Sequence, residues 1–218
     1  MSKFKELIKR LDEVKVSSET ERFLLKLARN ALEYYFKKGK RLGAEQVKLP
    51  SDKRVRDELT QKRATFVTLE KLSDSVGNTK RYSLRGCIGH LIAINPLYKD
   101  VLENTYAAAF EDPRFPPLQP DELNKIRLEI SILTPQVKLP YESIDQLISF
   151  LEKYKPGVVL DLGGRQATFL PQVWKEIESP EGFLSHLCMK AGFPPDCWVQ
   201  FEPTIYVYFA QEIKEKVS

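Results

Sequence analysis

The chain has 218 residues, of which 42% are hydrophobic and 29% are charged, a composition typical of a folded globular protein. Its formal net charge of +4 permits binding of nucleic acid or acidic ligands without requiring it. No apolar run is long enough to cross a bilayer, and the N-terminal residues lack the apolar segment of a signal peptide. We therefore expect a cytoplasmic protein without a membrane partner.

The first half of the chain predicts one long helix and then a strand–strand–helix–strand order. Ser18 and Glu21 have capping-box spacing, and apolar residues follow at helical spacing until Gly39. An irregular excursion covers residues 40–63. After it, alternation and turn residues predict strands over 65–70 and 82–94 with a loop over 73–79, a helix from Asn95-Pro96 to Asp112-Pro113, and a strand over 126–132.

A similar order recurs in the second half. Ser143 with Gln146 caps a helix, strands over 157–162 and 166–170 flank Gly163-Gly164, a helix begins at Ser179-Pro180, and the last strand covers 205–210. The predicted fold class is α+β, with mainly antiparallel sheets flanked by helices. A repeated strand–strand–helix–strand unit is one interpretation, and a continuous domain with a single sheet is the other.

The three cysteines, Cys87, Cys188 and Cys197, do not have the pattern of a disulfide framework. Because there is no CxxC pair, we expect no cysteine-ligated iron–sulfur cluster and no four-ligand zinc site within this chain. His186 and Cys188 lie two apart on a predicted helix, where side chains diverge, so we interpret them as packing residues. The sequence thus predicts neither a metal nor another cofactor.

The run Leu84-Arg85-Gly86-Cys87-Ile88-Gly89-His90 is the strongest candidate for a functional site. Glycine in a strand marks a bulge or a close approach by a ligand or another backbone. Alternation places Arg85, Cys87 and Gly89 on one face of the strand and the aliphatic residues on the other. If the strand over 126–132 is its neighbour, Glu129 and Ser131 join them on one polar wall.

Two interpretations of this run stay open. In the functional one, the guanidinium of Arg85 lowers the pKa of the Cys87 thiol and makes it a nucleophile. In the structural one, Cys87 packs as a small apolar side chain and Arg85 pairs with Glu129 or Asp112. His90 lies on the opposite face of a regular strand and is assigned no role.

Basic and glycine-rich segments elsewhere are more typical of structure than of a site. Arg114 either binds a carboxylate or phosphate or braces a turn with Asp112. Gly163-Gly164 favours a hairpin turn over an anion cradle. The basic stretches over 37–41 and 53–56 have acidic residues nearby, which favours a solvated surface over contact with RNA.

Five motifs occur in order along the chain: Phe66-Val67-Thr68-Leu69, Leu84-Arg85-Gly86-Cys87-Ile88-Gly89, the segment 107–115, Leu170-Pro171-Gln172-Val173-Trp174 and Lys190-Ala191-Gly192. Together they resemble the motifs of the AMMECR domain family, over about residues 23–209. The resemblance implies a single domain over 1–218 with two subdomains. Residues 65–133 would form the smaller subdomain, with the Arg-Gly-Cys motif near an inter-subdomain groove. Residues 15–64 and 134–218 would together form the larger subdomain.

The resemblance also implies that the protein acts in the same modification pathway as Memo-like proteins and radical S-adenosylmethionine enzymes. The candidate catalytic residues are then Cys87, Arg85 and Glu129, and the candidate substrate-binding residues are Gly86, Gly89, Ser131 and Arg114. His90 departs from the small or hydroxyl residue that many members carry after Ile-Gly. Three functions remain as hypotheses: a thiolate enzyme, a non-catalytic adaptor for those partners, and an RNA-binding protein.

Overall fold

The computed structural model describes residues 2–12, 15–76 and 79–216. Its helices are α1 (Ser2–Asp12), α2 (Ser18–Lys38), α3 (Lys53–Thr60), α4 (Leu97–Phe110), α5 (Ile144–Tyr154), α6 (Pro180–Lys190) and α7 (Cys197–Gln200). Its strands are β1 (Thr65–Val76), β2 (Thr79–Gly89), β3 (Ile126–Leu133), β4 (Val137–Lys138), β5 (Gly157–Leu162), β6 (Arg165–Phe169), β7 (Thr204–Tyr208) and β8 (Ala210–Lys214). Short 3₁₀ helices cover 44–46, 120–125 and 171–175.

The chain forms two compact units. Residues 15–133 and 211–218 make the Cys87 unit, and residues 1–14 and 134–210 make what we call the disulfide unit. Each unit has a four-stranded sheet, in the order β2-β1-β3-β8 in the first and β4-β7-β5-β6 in the second. The prediction of an α+β fold with mainly antiparallel sheets is confirmed, and the alternative with a single sheet is wrong.

The two sheets share one pairing pattern. In the Cys87 unit β1 pairs antiparallel with both β2 and β3, and in the disulfide unit β5 pairs antiparallel with both β6 and β7. In each unit a hairpin is therefore followed by helix and then by a strand that returns to the other side of the first hairpin strand. The strand–strand–helix–strand repeat is a repeat of topology.

Several element ends differ from the predictions. Ser17, not Ser18, caps α2, because its hydroxyl oxygen accepts the N–H of Thr20 at 3.4 Å. Gly39 ends α2 with φ +68°, as predicted. Strand β2 stops at Gly89 instead of 94, and Pro96 is the cap of α4 instead of its first residue. Strands β1 and β2 extend into the predicted loop, and its Gly77-Asn78 turn lies outside the described residues.

The segment 15–64 belongs to the Cys87 unit, whereas the resemblance placed it with the C-terminal part of the chain. The reason is packing between α2 and α4. Leu27 and Ala31 of α2 form a buried cluster with Leu102 and Tyr106 of α4, and the Tyr106 hydroxyl donates to the Ala31 carbonyl at 3.2 Å. The unit that holds the Arg-Gly-Cys motif thus includes α2 and α3.

The disulfide unit contains a bond that the sequence did not predict. Cys188 and Cys197 form a disulfide, so the expectation that the cysteines do not pair is wrong. The turn after α6 brings the two residues together, because the Phe193 N–H donates to the Cys188 carbonyl and the Cys197 N–H donates to the Pro194 carbonyl, both at 3.0 Å. Within the described residues, none of the helices has the length and apolar character needed to cross a bilayer.

Candidate functional site

A polar row crosses one face of the sheet in the Cys87 unit. Strand register places Thr68 of β1 opposite both Cys87 of β2 and Glu129 of β3. Strand β1 therefore lies between β2 and β3, which the sequence analysis had considered as neighbours. The Thr68 hydroxyl donates to the Cys87 Sγ at 3.2 Å, and Glu129 forms an ion pair with Lys214 of β8. We call Cys87, Thr68, Glu129 and Lys214 the polar row.

A bulge in β2 separates Arg85 from this row. Leu69 pairs with Gly86, but Glu70 already pairs with Leu84, which leaves Arg85 as the extra residue. Leu84 therefore lies on the Cys87 face, where 44% of it is exposed. The prediction that Arg85 and Cys87 share a face is wrong, because it assumed unbroken alternation along the strand.

The guanidinium of Arg85 binds Glu122 instead. Arg85 Nε and Nη2 donate to the two carboxylate oxygens at 3.0 and 2.8 Å, and both residues are buried. Lys71, on the opposite face of β1 from Thr68, donates to the same carboxylate at 2.8 Å. The hydrogen bond from Arg85 lowers the pKa of Glu122 to about 2, against the effect of burial. The structural interpretation expected Glu129 or Asp112 as the partner of Arg85, and this expectation is wrong.

The Cys87 thiol is half-buried and free. Burial raises its pKa, and the hydrogen bond from Thr68 and the charge of Arg114 oppose this only in part. The thiol is therefore protonated at neutral pH. The activating cation predicted from sequence, Arg85, is not among the largest causes of this shift in pKa.

The backbone of Cys87 is held by the Asp112-Pro113-Arg114 turn. Its N–H donates to Asp112 Oδ2 at 2.8 Å, and its carbonyl accepts from Arg114 Nη2 at 3.2 Å. Arg114 also donates to both Asp112 oxygens, at 2.9 and 2.7 Å, and this holds the pKa of Asp112 far below its usual range. Because β2 is an edge strand, these bonds close its open side. The Asp112–Arg114 brace is present, and anion binding by Arg114 stays a prediction.

The two glycines of the motif admit other parts of the backbone. A Cβ on Gly86 would lie 2.1 Å from the Ala108 carbonyl oxygen of α4, and one on Gly89 would lie 2.3 Å from the Thr65 carbonyl oxygen. Close packing is thus a sufficient reason for both. Ser131, buried opposite Phe66, lies on the same face as Glu129. Substrate binding by Gly86, Gly89 and Ser131 stays a prediction.

A buried group that the sequence reasoning missed surrounds Asp100 of α4. Its Oδ1 lies 2.6 Å from His90 Nε2, and its Oδ2 accepts from the Thr65 hydroxyl at 2.6 Å and from Asn104 Nδ2 at 3.1 Å. Burial raises the pKa of Asp100, and its hydrogen bonds and the charge of His90 oppose the rise. The i,i+4 spacing of Asp100 and Asn104 was the available signal in the sequence. Nothing in it linked them to Thr65 or His90.

The remaining candidates lie on the surface. Arg41 pairs with Glu111, and Arg54 pairs with Glu58 at 3.2 Å, in line with solvated basic stretches. Gly163 and Gly164, at φ +61° and +82°, form the predicted turn between β5 and β6. Over the described part of the chain, no three His, Cys, Asp or Glu side chains are grouped to hold a metal ion.

Comparisons with known proteins agree on one family. The AMMECR1 family model matches residues 25–213. Protein MK0488 of Methanopyrus kandleri is 38% identical over 93% of this chain and 91% of its own, and a protein of Methanothermobacter thermautotrophicus is 37% identical over 92% and 96%. The crystal structure of the uncharacterized protein PH0010 from Pyrococcus horikoshii has a TM-score of 0.71 and 32% identity, over 92% of this chain and 94% of that one.

Proposed function

The chain belongs to the AMMECR1 family, and we propose that it acts as a non-catalytic binding module in a modification pathway. The observation that carries this proposal is the pairing of Arg85 with Glu122. Arg85 is the only cation of the Arg-Gly-Cys motif, and it forms this buried ion pair on the face of the sheet opposite to Cys87. The motif then shapes a surface instead of supplying an activated nucleophile.

The groups around Cys87 support the same conclusion. A nucleophilic thiol needs a lowered pKa or an adjacent base. Burial raises the pKa of this thiol, and Glu129, the carboxylate of the polar row, is bound to Lys214. His90 and Thr65 both bind Asp100. Thr65 lies on the face of β1 opposite to Thr68, so this group is on the other side of the sheet from the polar row. Glu129 is buried, so the side chains of the polar row that a partner can reach are Thr68, Cys87 and Lys214.

The partners proposed are the Memo-like and radical S-adenosylmethionine proteins that the family resemblance implies, in the cytoplasm. The contact surface proposed is the face of the sheet that carries the polar row and the exposed side chain of Leu84. Leu84 is an exposed apolar side chain on this face, and we propose it as the anchor of the contact. No catalytic step is assigned to the chain in this proposal.

A thiolate enzyme is the second candidate, and one observation favours it. The charge of Arg114 opposes the rise that burial causes in the pKa of the Cys87 thiol, and 55% of the Arg114 side chain is exposed. A bound substrate that excluded water would strengthen this effect. In that case Cys87, Glu129 and Arg114 would carry the chemistry.

Calorimetric titration with the Memo-like and radical S-adenosylmethionine proteins of the same organism tests the binding module. We expect Cys87→Ser to leave the Kd of the responding partner within about threefold, and Leu84→Glu to weaken it at least about tenfold, since an exposed apolar anchor is replaced by a charge. Ile144→Glu, at a comparably exposed apolar position of the disulfide unit, is the control. Absence of binding to both partners, or equal losses for Leu84→Glu and Ile144→Glu, would reject the proposal.

A further inference from the structure

A second feature of the Cys87 unit is a cavity of about 500 Å³ between α2, the β1–β2 hairpin, the start of β3 and the segment after β8. All its lining residues belong to this unit, and its volume is within the range of small-molecule sites. The described lining carries one carboxylate, Glu215, and five cationic side chains: Arg22, Arg29, Lys125, Arg127 and Lys216. The lining therefore carries more cationic than acidic side chains, and Glu19, Asp121 and Glu70 pair with three of these cations from outside it.

Two of these cations form a fixed wall. Arg29 donates to both carboxylate oxygens of Glu215, at 2.9 and 2.5 Å, and to the carbonyls of Leu123 and Ile126. Arg127 donates to Glu70, and its guanidinium carbon lies 3.8 Å from the centre of the Tyr82 ring. The stacked pair of Tyr82 and Arg127 gives the wall a flat, cationic and aromatic surface.

The other three cations are free to turn toward a ligand. Arg22 pairs with Glu19 at 3.1 Å, and Lys125 pairs with Asp121 at 3.1 Å, but more than half of each side chain is exposed. Ion pairs this exposed contribute little, so a ligand of higher charge displaces them at small cost. Among the described residues, no carboxylate pairs with Lys216.

We propose that this cavity binds a small phosphorylated compound that carries a flat ring, such as a nucleoside diphosphate. The phosphates would contact Arg22, Lys125 and Lys216, because arginine and lysine side chains at a cavity mouth match the charge and geometry of phosphate oxygens. The ring would pack beside Tyr82, against the apolar side chains of Leu72 and Ile126. The proposal does not depend on the role of Cys87, and Leu72 and Tyr82 lie on the same face of the sheet as Leu84.

Calorimetric titration of the full chain with ADP and with pyrophosphate tests this site. We expect ADP to bind more tightly than pyrophosphate, and the double variant Arg22→Ala/Lys125→Ala to weaken both at least about tenfold. Tyr82→Leu should weaken ADP and leave pyrophosphate within about twofold. The matched control is Arg54→Ala/Lys99→Ala, which removes two exposed, similarly paired cations from helices of the same unit outside the cavity.

Each other outcome contradicts the proposal. No heat from either ligand at about 5 mM would reject a phosphate site, since that limit corresponds to negligible affinity. Equal weakening by the two double variants would reject the cavity as the location. Binding of a single-stranded RNA oligonucleotide without binding of ADP would assign the cations to a nucleic-acid surface instead. Equal affinity for ADP and pyrophosphate would reject recognition of the ring.

Discussion

Arg85 and Glu122 form a two-point ion pair inside the Cys87 unit, with donor–acceptor distances of 3.0 and 2.8 Å. Glu122→Leu leaves the buried Arg85 without its carboxylate partner, which costs about 3–5 kcal/mol, whereas Arg85→Met leaves Glu122 bound to Lys71 and costs less. We predict losses of unfolding free energy in this order, measured by denaturant titration. The double variant should lose less than the sum of the two. Strict additivity of the losses would show that the pair is not coupled.

The same pair makes stability depend on pH. Because the pKa of Glu122 is lowered to about 2 from its ordinary value of 4.5, its charged form stabilises the fold above about pH 4.5, and this contribution is lost as the pH falls through about 2. We predict a shallower fall of the unfolding free energy over this interval in Glu122→Gln than in the original chain. Identical pH slopes in the two proteins would contradict the assigned pKa.

The hydroxyl of Thr65 donates to the buried carboxylate of Asp100. A hydrogen bond to a charged group contributes about 1.5–3 kcal/mol, more than one to a neutral carbonyl. We predict that Thr65→Val lowers the free energy of unfolding by this amount. The control is Thr105→Val, because the buried Thr105 hydroxyl donates only to the Val101 carbonyl. A larger loss in the control would contradict the role given to the Asp100 group.

Cys188 and Cys197 are joined in the disulfide unit, and Cys87 is free. We predict that the chain unfolded without reductant takes up one alkyl group, and that it takes up three after reduction. Mass spectrometry of the intact protein measures both numbers. Three groups without reductant would show that the bond is absent in solution.

The sequence predicted the parts of the fold that depend on local pattern. Alternation located β3, runs of strand-forming residues located β1 and β5, and Gly39 marked the end of α2 as its left-handed conformation requires. The bulge at Arg85 could not be predicted in the same way, because it depends on where β1 and β2 lose register. Because of this extra residue, Arg85 lies on the face opposite to Cys87 and binds Glu122, although it was predicted to lie beside the thiol.

The candidate site shows the same limit. Alternation predicted that Glu129 and Ser131 lie on the same face as Cys87. It could not predict that Thr68 of β1 lies between Glu129 and Cys87. The Asp100 group depends on Thr65 and His90, which reach α4 only through tertiary packing. Long-range pairs of this kind have no fixed spacing in the sequence.

The pH dependence of Cys87 alkylation tests most directly whether the Arg-Gly-Cys motif holds an activated thiolate. With the Cys188–Cys197 disulfide intact, Cys87 is the one cysteine that iodoacetamide labels, so the total rate reports on it alone. We predict that its rate rises with a midpoint at higher pH than that of N-acetylcysteine, because burial raises the pKa of the thiol. A midpoint below about pH 7, and reaction faster than N-acetylcysteine at neutral pH, would contradict the binding-module account and favour a thiolate enzyme.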